Sequence, residues 1–275
     1  MKQLKITKED YDLFRIFLEG VSGIVLGDNK HYLVSSRLNR LMNDNNIESY
    51  SDLIDILREN RIRGFTDQVV DAMTTNETMW FRDTYPYEAL KNTVFPQLDN
   101  IDHKLRIWSS ACSSGQEPYS ISMIVDEYIK SSLGAFKHGV EVVATDISLS
   151  VLEQAKKGIY DESAMNRGIT EERKRQYFNR IGDLWEIKPE INSRITFKTA
   201  NLQESYAHLG KFDIIFCRNV LIYFSSEMKT EILNKMAACL NDNGFLLLGS
   251  SEAPNRYTDA FEMVRVPQGV IYRVL

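Results

Sequence analysis

The sequence predicts an α/β protein: a doubly wound, mostly parallel sheet with a small inserted subdomain, preceded by a small all-helical domain. Three observations predict it. Residues up to about 75 show only the 3.6-residue periodicity of amphipathic helices. From Leu105 onward short apolar runs alternate with helical ones, as in a parallel sheet with helices on its faces. Between Gly158 and Arg194 the alternation is interrupted for longer than a simple helix-to-strand link requires. The expected divisions are 1–75 for the helical domain, 76–104 for a linker and connecting helix, and 105–275 for the sheet domain, with the insertion at about 158–193.

In the helical part, Thr7 is placed to cap a helix bearing Tyr11, Phe14, Phe17 and Leu18 on one side. Asp28 is the expected cap of a second, with Tyr32, Leu33, Leu38 and Leu41, and Ser51 starts a third, with Leu53, Ile54 and Leu57. Phe65, Val69, Val70 and Met73 mark a fourth, and Phe81 to Leu98 reads as the connecting helix, with Pro96 near its end. Strands are expected at 105–110, 140–145, 194–199, 212–217, 244–249 and 270–274, and helices at 117–131, 148–157, 170–178 and 226–240. The last strand follows Pro267-Gln268-Gly269 and closes an antiparallel hairpin; Gly182, Trp185, Ile187 and Pro189 punctuate the insertion.

At 275 residues, 43% of them hydrophobic, the chain is able to bury a sizeable core. A net charge of -5 argues against a dedicated nucleic-acid binder. The cysteines, Cys112, Cys217 and Cys239, are odd in number and lack metal-ligand spacing, so they read as buried thiols in a reducing compartment. The opening Met1-Lys2-Gln3-Leu4-Lys5-Ile6 has no apolar core of a signal peptide, and no run of about eighteen apolar residues occurs, so a cytoplasmic protein without membrane insertion is expected. Nothing indicates an oligomer, and a monomer is expected.

The chemistry concentrates where strands end. The first strand enters a turn of small residues, Ser109 to Gly115, and a helix begins at Glu117-Pro118, offering close backbone approach and free N–H groups. The second strand stops at Asp146, where a carboxylate commonly grips a ribose. Together they point to a nucleoside-containing cofactor. The turn has only Gly115 rather than the three glycines of a dinucleotide fingerprint, so a pyrophosphate is poorly served. S-adenosylmethionine, which has none, fits better. Glu117 is alternatively an acid complementing the helix dipole, and Asp146 or Ser148 a helix N-cap. Asn201-Leu202 follows another strand, and Arg218-Asn219 follows the apolar run ending at Cys217, both at positions belonging to a ligand crevice. Asn76, Thr78 and Arg82, interleaved with Trp80 and Phe81, suit either a cover over a nucleoside or an interdomain packing segment.

The motifs T-T-N-E-T-x-W-F-R at 74–82, W-S-S-A-C-S-S-G-Q-E-P-Y-S at 108–120, A-T-D-I-S at 144–148, N-L at 201–202 and F-C-R-N-V-L-I-Y-F at 216–224 resemble the chemotaxis receptor glutamate methyltransferases, the CheR family. The resemblance runs in order through nearly the whole chain. It implies a class I S-adenosylmethionine-dependent methyltransferase fold, S-adenosylhomocysteine as product, and glutamate γ-methyl esters on cytoplasmic chemoreceptor helices as the outcome. It also implies cofactor contacts at Asn76, Thr78, Arg82, Glu117, Asp146, Asn201, Leu202, Arg218 and Asn219, with Tyr223 as the catalytic residue near the transferred methyl. Gln116 departs from the usual Glu, and the short connection around Arg180 to Pro189 argues against the docking of a receptor tail peptide seen in members with a longer loop.

Methylation of a carboxylate needs no strong base, since glutamate with a pKa of about 4.3 is already ionised at neutral pH. Accordingly His31, His103, His138 and His208 sit in ordinary sequence surroundings. Arg37 and Arg40, three apart on the second helix, and Arg58, Arg61 and Arg63 after the third form either a receptor-facing basic surface or a solvated helix face. Two other functions compete: a methyltransferase for a small molecule or nucleic acid, opposed by the absence of an N-P-P-Y motif, and a non-catalytic receptor-binding adaptor, opposed by the intact motif set.

Overall fold

The computed structural model describes residues 4–275; the start of the opening segment read above for a signal peptide, residues 1–3, lies outside them. Helices α1 (Lys8–Ser22), α2 (His31–Asp44), α3 (Tyr50–Glu59) and α4 (Phe65–Met73) bury Tyr11, Phe14, Leu18, Val34, Leu38, Leu53 and Val69 in one core. Thr7 caps α1, its hydroxyl accepting the Asp10 N–H at 3.1 Å. Two expected caps are corrected. Asp28 does not cap α2 but pairs with Arg15 at 2.6 Å, because the Tyr11 hydroxyl accepts the Lys30 N–H and donates to the Gly27 carbonyl, holding the turn itself. Ser51 lies inside α3, whose cap is Ser49: its hydroxyl accepts the Asp52 N–H at 3.1 Å and donates to the Asp52 carboxylate at 2.7 Å.

The connecting helix starts at Tyr85, not Phe81, because Phe81, Asp83 and Thr84 adopt positive φ and form a turn. It continues through α5 (Tyr85–Ala89), a π-helical turn Leu90–Val94 and α6 (Phe95–Leu98). Pro96 has no N–H to donate, and the wider register just before it, with the Phe95 N–H on the Leu90 carbonyl, carries the helix past it.

The sheet domain holds β1 (Leu105–Ser110), α7 (Gln116–Ser131), β2 (Val140–Asp146), α8 (Leu149–Lys157), β6 (Ile195–Thr199), β7 (Phe212–Cys217), α12 (Ser226–Cys239), β8 (Leu240–Leu248), β9 (Phe261–Val266) and β10 (Gly269–Val274). Their order is β6-β2-β1-β7-β8-β10-β9, parallel from β6 to β8 and antiparallel across β10 and β9. Strand alternation splits the core: Ile107, Ile214 and Phe216 pack on one face with α7, and Trp108, Ile215 and Leu246 on the other with α12. β9 was not among the expected strands. It is the edge of the hairpin, so only one of its faces is covered and its apolar signal is weak. β8 begins at Leu240 rather than 244, with an irregularity opposite Phe212/Ile214 accommodating the extra residues.

The insertion contains β3 (Ile159–Asp161), α9 (Glu162–Met165), α10 (Glu171–Tyr177), β4 (Phe178–Ile181), β5 (Leu184–Ile187) and α11 (Pro189–Asn192), its strands forming an antiparallel sheet ordered β3-β5-β4. It docks on the 74–82 segment. Trp80 is fully buried, edge-on to Tyr160 and Phe178 at 4.8 and 5.3 Å, and its backbone N–H donates to the Arg167 carbonyl. Gly168 sits so close that a Cβ there would lie 2.1 Å from the Trp80 carbonyl oxygen. All three cysteines are free and buried, and burial pushes the Cys112 and Cys217 thiols up. Among the described residues no helix is long and apolar enough to cross a membrane.

Candidate active site

Strand order reverses at β1, which feeds β2 on one side and lies beside β7 on the other, so a crevice opens at their carboxyl ends. A cavity of about 320 Å³ occupies it, roofed by the α1–α2 loop of the helical domain and walled by the 73–82 segment. That is room for a small organic ligand. Asn76, Thr78, Arg82, Glu117, Asp146, Asn201, Leu202, Arg218, Asn219 and Tyr223 all line it.

The turn after β1 owes its shape to alternating positive φ at Ala111, Ser113 and Gly115. At Gly115 a Cβ would approach the Tyr160 hydroxyl and Ala155 at 3.0 Å, so glycine serves both the conformation and the close packing. The turn aims the Ser113 N–H at Asp146 Oδ2, 2.8 Å away, and the Ser148 N–H reaches Oδ1 at 2.9 Å. Ser148, not Asp146, caps α8 through the Val151 N–H. Burial holds the Asp146 carboxyl above the usual carboxylate range, opposed by these amides.

Glu117 stands in the first turn of α7, facing the cavity. Its Oε1 accepts the Ser109 hydroxyl at 2.8 Å and its Oε2 accepts Arg218 Nη1 at 3.3 Å. Burial raises its pKa in spite of Arg218. Gln116 points elsewhere, accepting the Ser114 hydroxyl at 2.9 Å while buried, so the departure at this position braces the turn and leaves the cavity wall unchanged.

Arg218 follows β7 directly, its side chain 1% exposed. Its Nη2 also donates to the Arg82 carbonyl and to Asp83, at 2.9 and 2.7 Å, so it ties the 82–83 turn to Glu117 as well as lining the cavity. Asn219, at φ 58, leaves its Oδ1 buried without a partner. Tyr223 closes a 3-10 turn, Leu221–Tyr223, and its carbonyl accepts the Val25 N–H from the helical domain at 2.9 Å. Beside it, a Cβ on Gly23 would lie 2.7 Å from the Phe224 ring.

Three expected residues have partners that the sequence did not suggest. The Asn201 amide donates to the Val21 carbonyl and accepts the Gln203 N–H, tying the loop to α1 instead of standing free at the cavity. Arg37 turns inward, lines the cavity and donates to the Met73 and Thr74 carbonyls at 2.6 and 2.8 Å and to the Thr75 hydroxyl at 3.0 Å. Arg40 points outward, 85% exposed and 3.7 Å from Asp44. The two therefore do not share one outward face. Sequence reasoning missed Ile24, Val25, Leu26 and Lys30 of the roof, and Glu252, which accepts N–H bonds from the turn carrying Asn219. Glu252 carried a usable signal, a polar cluster directly after the apolar end of β8.

Comparison with known proteins accords with this architecture. Residues 9–74 match the family described as CheR methyltransferase, all-alpha domain, and residues 76–270 match CheR methyltransferase, SAM binding domain. The chain is 55% identical over 267 residues to Chemotaxis protein methyltransferase 1 of Pseudomonas aeruginosa, covering 96% of this chain and 97% of that protein. It is 52% identical, with the same coverage, to Chemotaxis protein methyltransferase Cher2 of Pseudomonas putida. With the Chemotaxis protein methyltransferase of Vibrio parahaemolyticus it shares 48% identity over 275 residues, the full length of both.

Proposed function

Because the chain belongs to the CheR methyltransferase family, whose members are chemotaxis methyltransferases with a domain for S-adenosylmethionine, we propose that it methylates glutamate side chains on cytoplasmic chemoreceptor helices, forming γ-methyl esters. The observation that carries this reading is one cavity lined by Glu117, the buried Asp146, Asn219, whose side-chain Oδ1 has no partner, and Tyr223.

These residues fit the cofactor. Glu117 and the orphaned Asn219 Oδ1 are acceptors for an ammonium group, and a cation there offsets the burial that raises the Glu117 pKa. Asp146 would accept the ribose hydroxyls, while Leu202 and Ile147 supply an apolar border for adenine. Arg82, with Thr78 and Asn76 on the covering segment, would orient the carboxylate end. When bound, S-adenosylmethionine supplies a methyl group on an electrophilic sulfonium.

The acceptor glutamate arrives already ionised, so the protein has no proton to remove. An anion approaching a cation loses charge separation in the transition state. The useful work is alignment and exclusion of water rather than a strong ion pair to the nucleophile. The roof residues Ile24, Val25 and Leu26 exclude water, and the Tyr223 hydroxyl donates a hydrogen bond that aims the acceptor carboxylate.

The test is incubation with methyl-labelled S-adenosylmethionine and chemoreceptor-containing membranes. Base-labile label on receptor is the expected result; cofactor binding with no transfer would overturn the enzymatic reading. In the same assay Tyr223→Phe should lower turnover while leaving cofactor affinity near that of the wild type. Full turnover in that variant would remove the role given to Tyr223.

A further inference from the structure

We infer that Glu252 is a positioning residue for methyl transfer: its buried carboxylate fills a nest of backbone amides and so sets the turn on which Asn219 and Tyr223 stand. The inference rests on the functional reading above and extends it to a residue outside the cavity lining.

Oε2 of Glu252 accepts the N–H groups of Asn219 and Gly249, both at 2.8 Å, and Oε1 accepts those of Val220 and Leu221 at 3.0 and 2.8 Å. The consecutive amides of 219–221 converge because Asn219 is left-handed, a backbone arrangement that forms an anion-binding concavity. Here the anion is supplied by the chain itself. The residue is 9% exposed, and among the described residues no lysine or arginine forms an ion pair with it, so the amides are its counterpart. The seat is tight: a Cβ on Gly249 would lie 2.7 Å from Glu252 Oε2 and 2.8 Å from Asn219 Nδ2. Tyr223 is held at the far end of the same turn by the Val25 N–H on its carbonyl. Glu252 therefore fixes one end and the helical domain the other.

The opposite side of Glu252 opens on a surface groove of about 290 Å³ bordered by Leu221, Lys229, Arg256 and Tyr257. A small carboxylate reaches the nest from solvent by this route without entering the cofactor cavity. That permits chemical rescue.

The experiment compares Glu252→Ala with wild type, each with added formate and with chloride at matched ionic strength. Without formate, kcat should fall on the order of a hundredfold, the scale of a misplacement of about 1 Å. Affinity for S-adenosylhomocysteine, read by calorimetry, should fall about tenfold at most, the scale of the one contact that Asn219 supplies. Formate, not chloride, should restore kcat and raise the melting temperature of the variant alone. An unchanged kcat overturns the inference, as does loss of activity with no formate effect on kcat or melting. If Glu252→Ala does not fold, Glu252→Gln keeps the shape but turns an NH2 group toward amide donors. It must lose kcat by a larger factor than it loses S-adenosylhomocysteine affinity, and wild-type kcat in that variant overturns the inference. Should wild type itself methylate no receptor, the functional reading fails. The formate-dependent melting shift, present or absent, then decides the nest separately.

Discussion

Arg218 and Glu117 meet beneath the cavity, Nη1 3.3 Å from Oε2, with Arg218 almost fully buried and linked also to Asp83. Removing one member of a buried pair leaves the other charge without compensation, at a cost of about 3–5 kcal/mol. We expect Arg218→Met to lower stability in urea by about that much. Glu117→Gln leaves Arg218 paired with Asp83 and keeps an acceptor for the Ser109 hydroxyl, so it should cost less stability while sharply weakening cofactor affinity. An Arg218→Met variant with an unshifted urea midpoint would contradict the pairing.

The pH response of Asp146 has two opposite signs. Burial raises its folded-state pKa above the ordinary carboxylate value, so the free protein gains stability as pH falls from the raised value toward the ordinary one. Cofactor affinity moves the other way, since protonation removes the charged acceptor for ribose. Calorimetry with S-adenosylhomocysteine should show weakening as pH falls through the raised Asp146 value. Asp146→Asn should bind weakly throughout, by about 1.5–3 kcal/mol, with a flatter pH profile. Parallel profiles for the two proteins would exclude this role.

Arg37 and Arg40 should separate experimentally. Arg37 bonds the Met73 and Thr74 carbonyls at the entrance to the covering segment, so Arg37→Ala should weaken cofactor affinity about tenfold. Arg40 is exposed, so Arg40→Glu should leave cofactor affinity unchanged and raise the Michaelis constant for receptor, most at low salt. Equal effects of both variants on cofactor affinity would refute the separation.

At the opposite end of the sheet, His103 Nε2 lies 2.8 Å from buried Asp213, which also accepts the Arg106 N–H and the Asn241 amide. The hydrogen bond to Asp213 raises the His103 pKa. Its stabilisation is therefore fully present below the unfolded value of about 6.5 and is lost as pH rises through the higher folded value. We expect His103→Gln to be less stable than wild type at mildly acidic pH, with the two converging at alkaline pH. A constant gap in denaturation midpoint across that range would rule out the linkage.

What the sequence by itself determined is local. Thr7 and Ser148 act through amides three residues away, and strands β1, β2, β6 and β7 follow from short apolar runs. The candidate cavity residues were legible because a polar residue directly after an apolar strand belongs to the crevice; that is how Asp146, Arg218 and Asn219 were found. Only the tertiary structure decided which partner each polar group takes. Asn201 bonds Val21, distant along the chain, and Arg37 turns inward to the α4 terminus. Glu252 fills amides some thirty residues away. The insertion's strands and β9 were hidden because small or one-sided sheets bury too little to mark their period. The physical reason is common to all of these: a donor's partner depends on which segments packing brings within about 3 Å, and no local pattern encodes that distance.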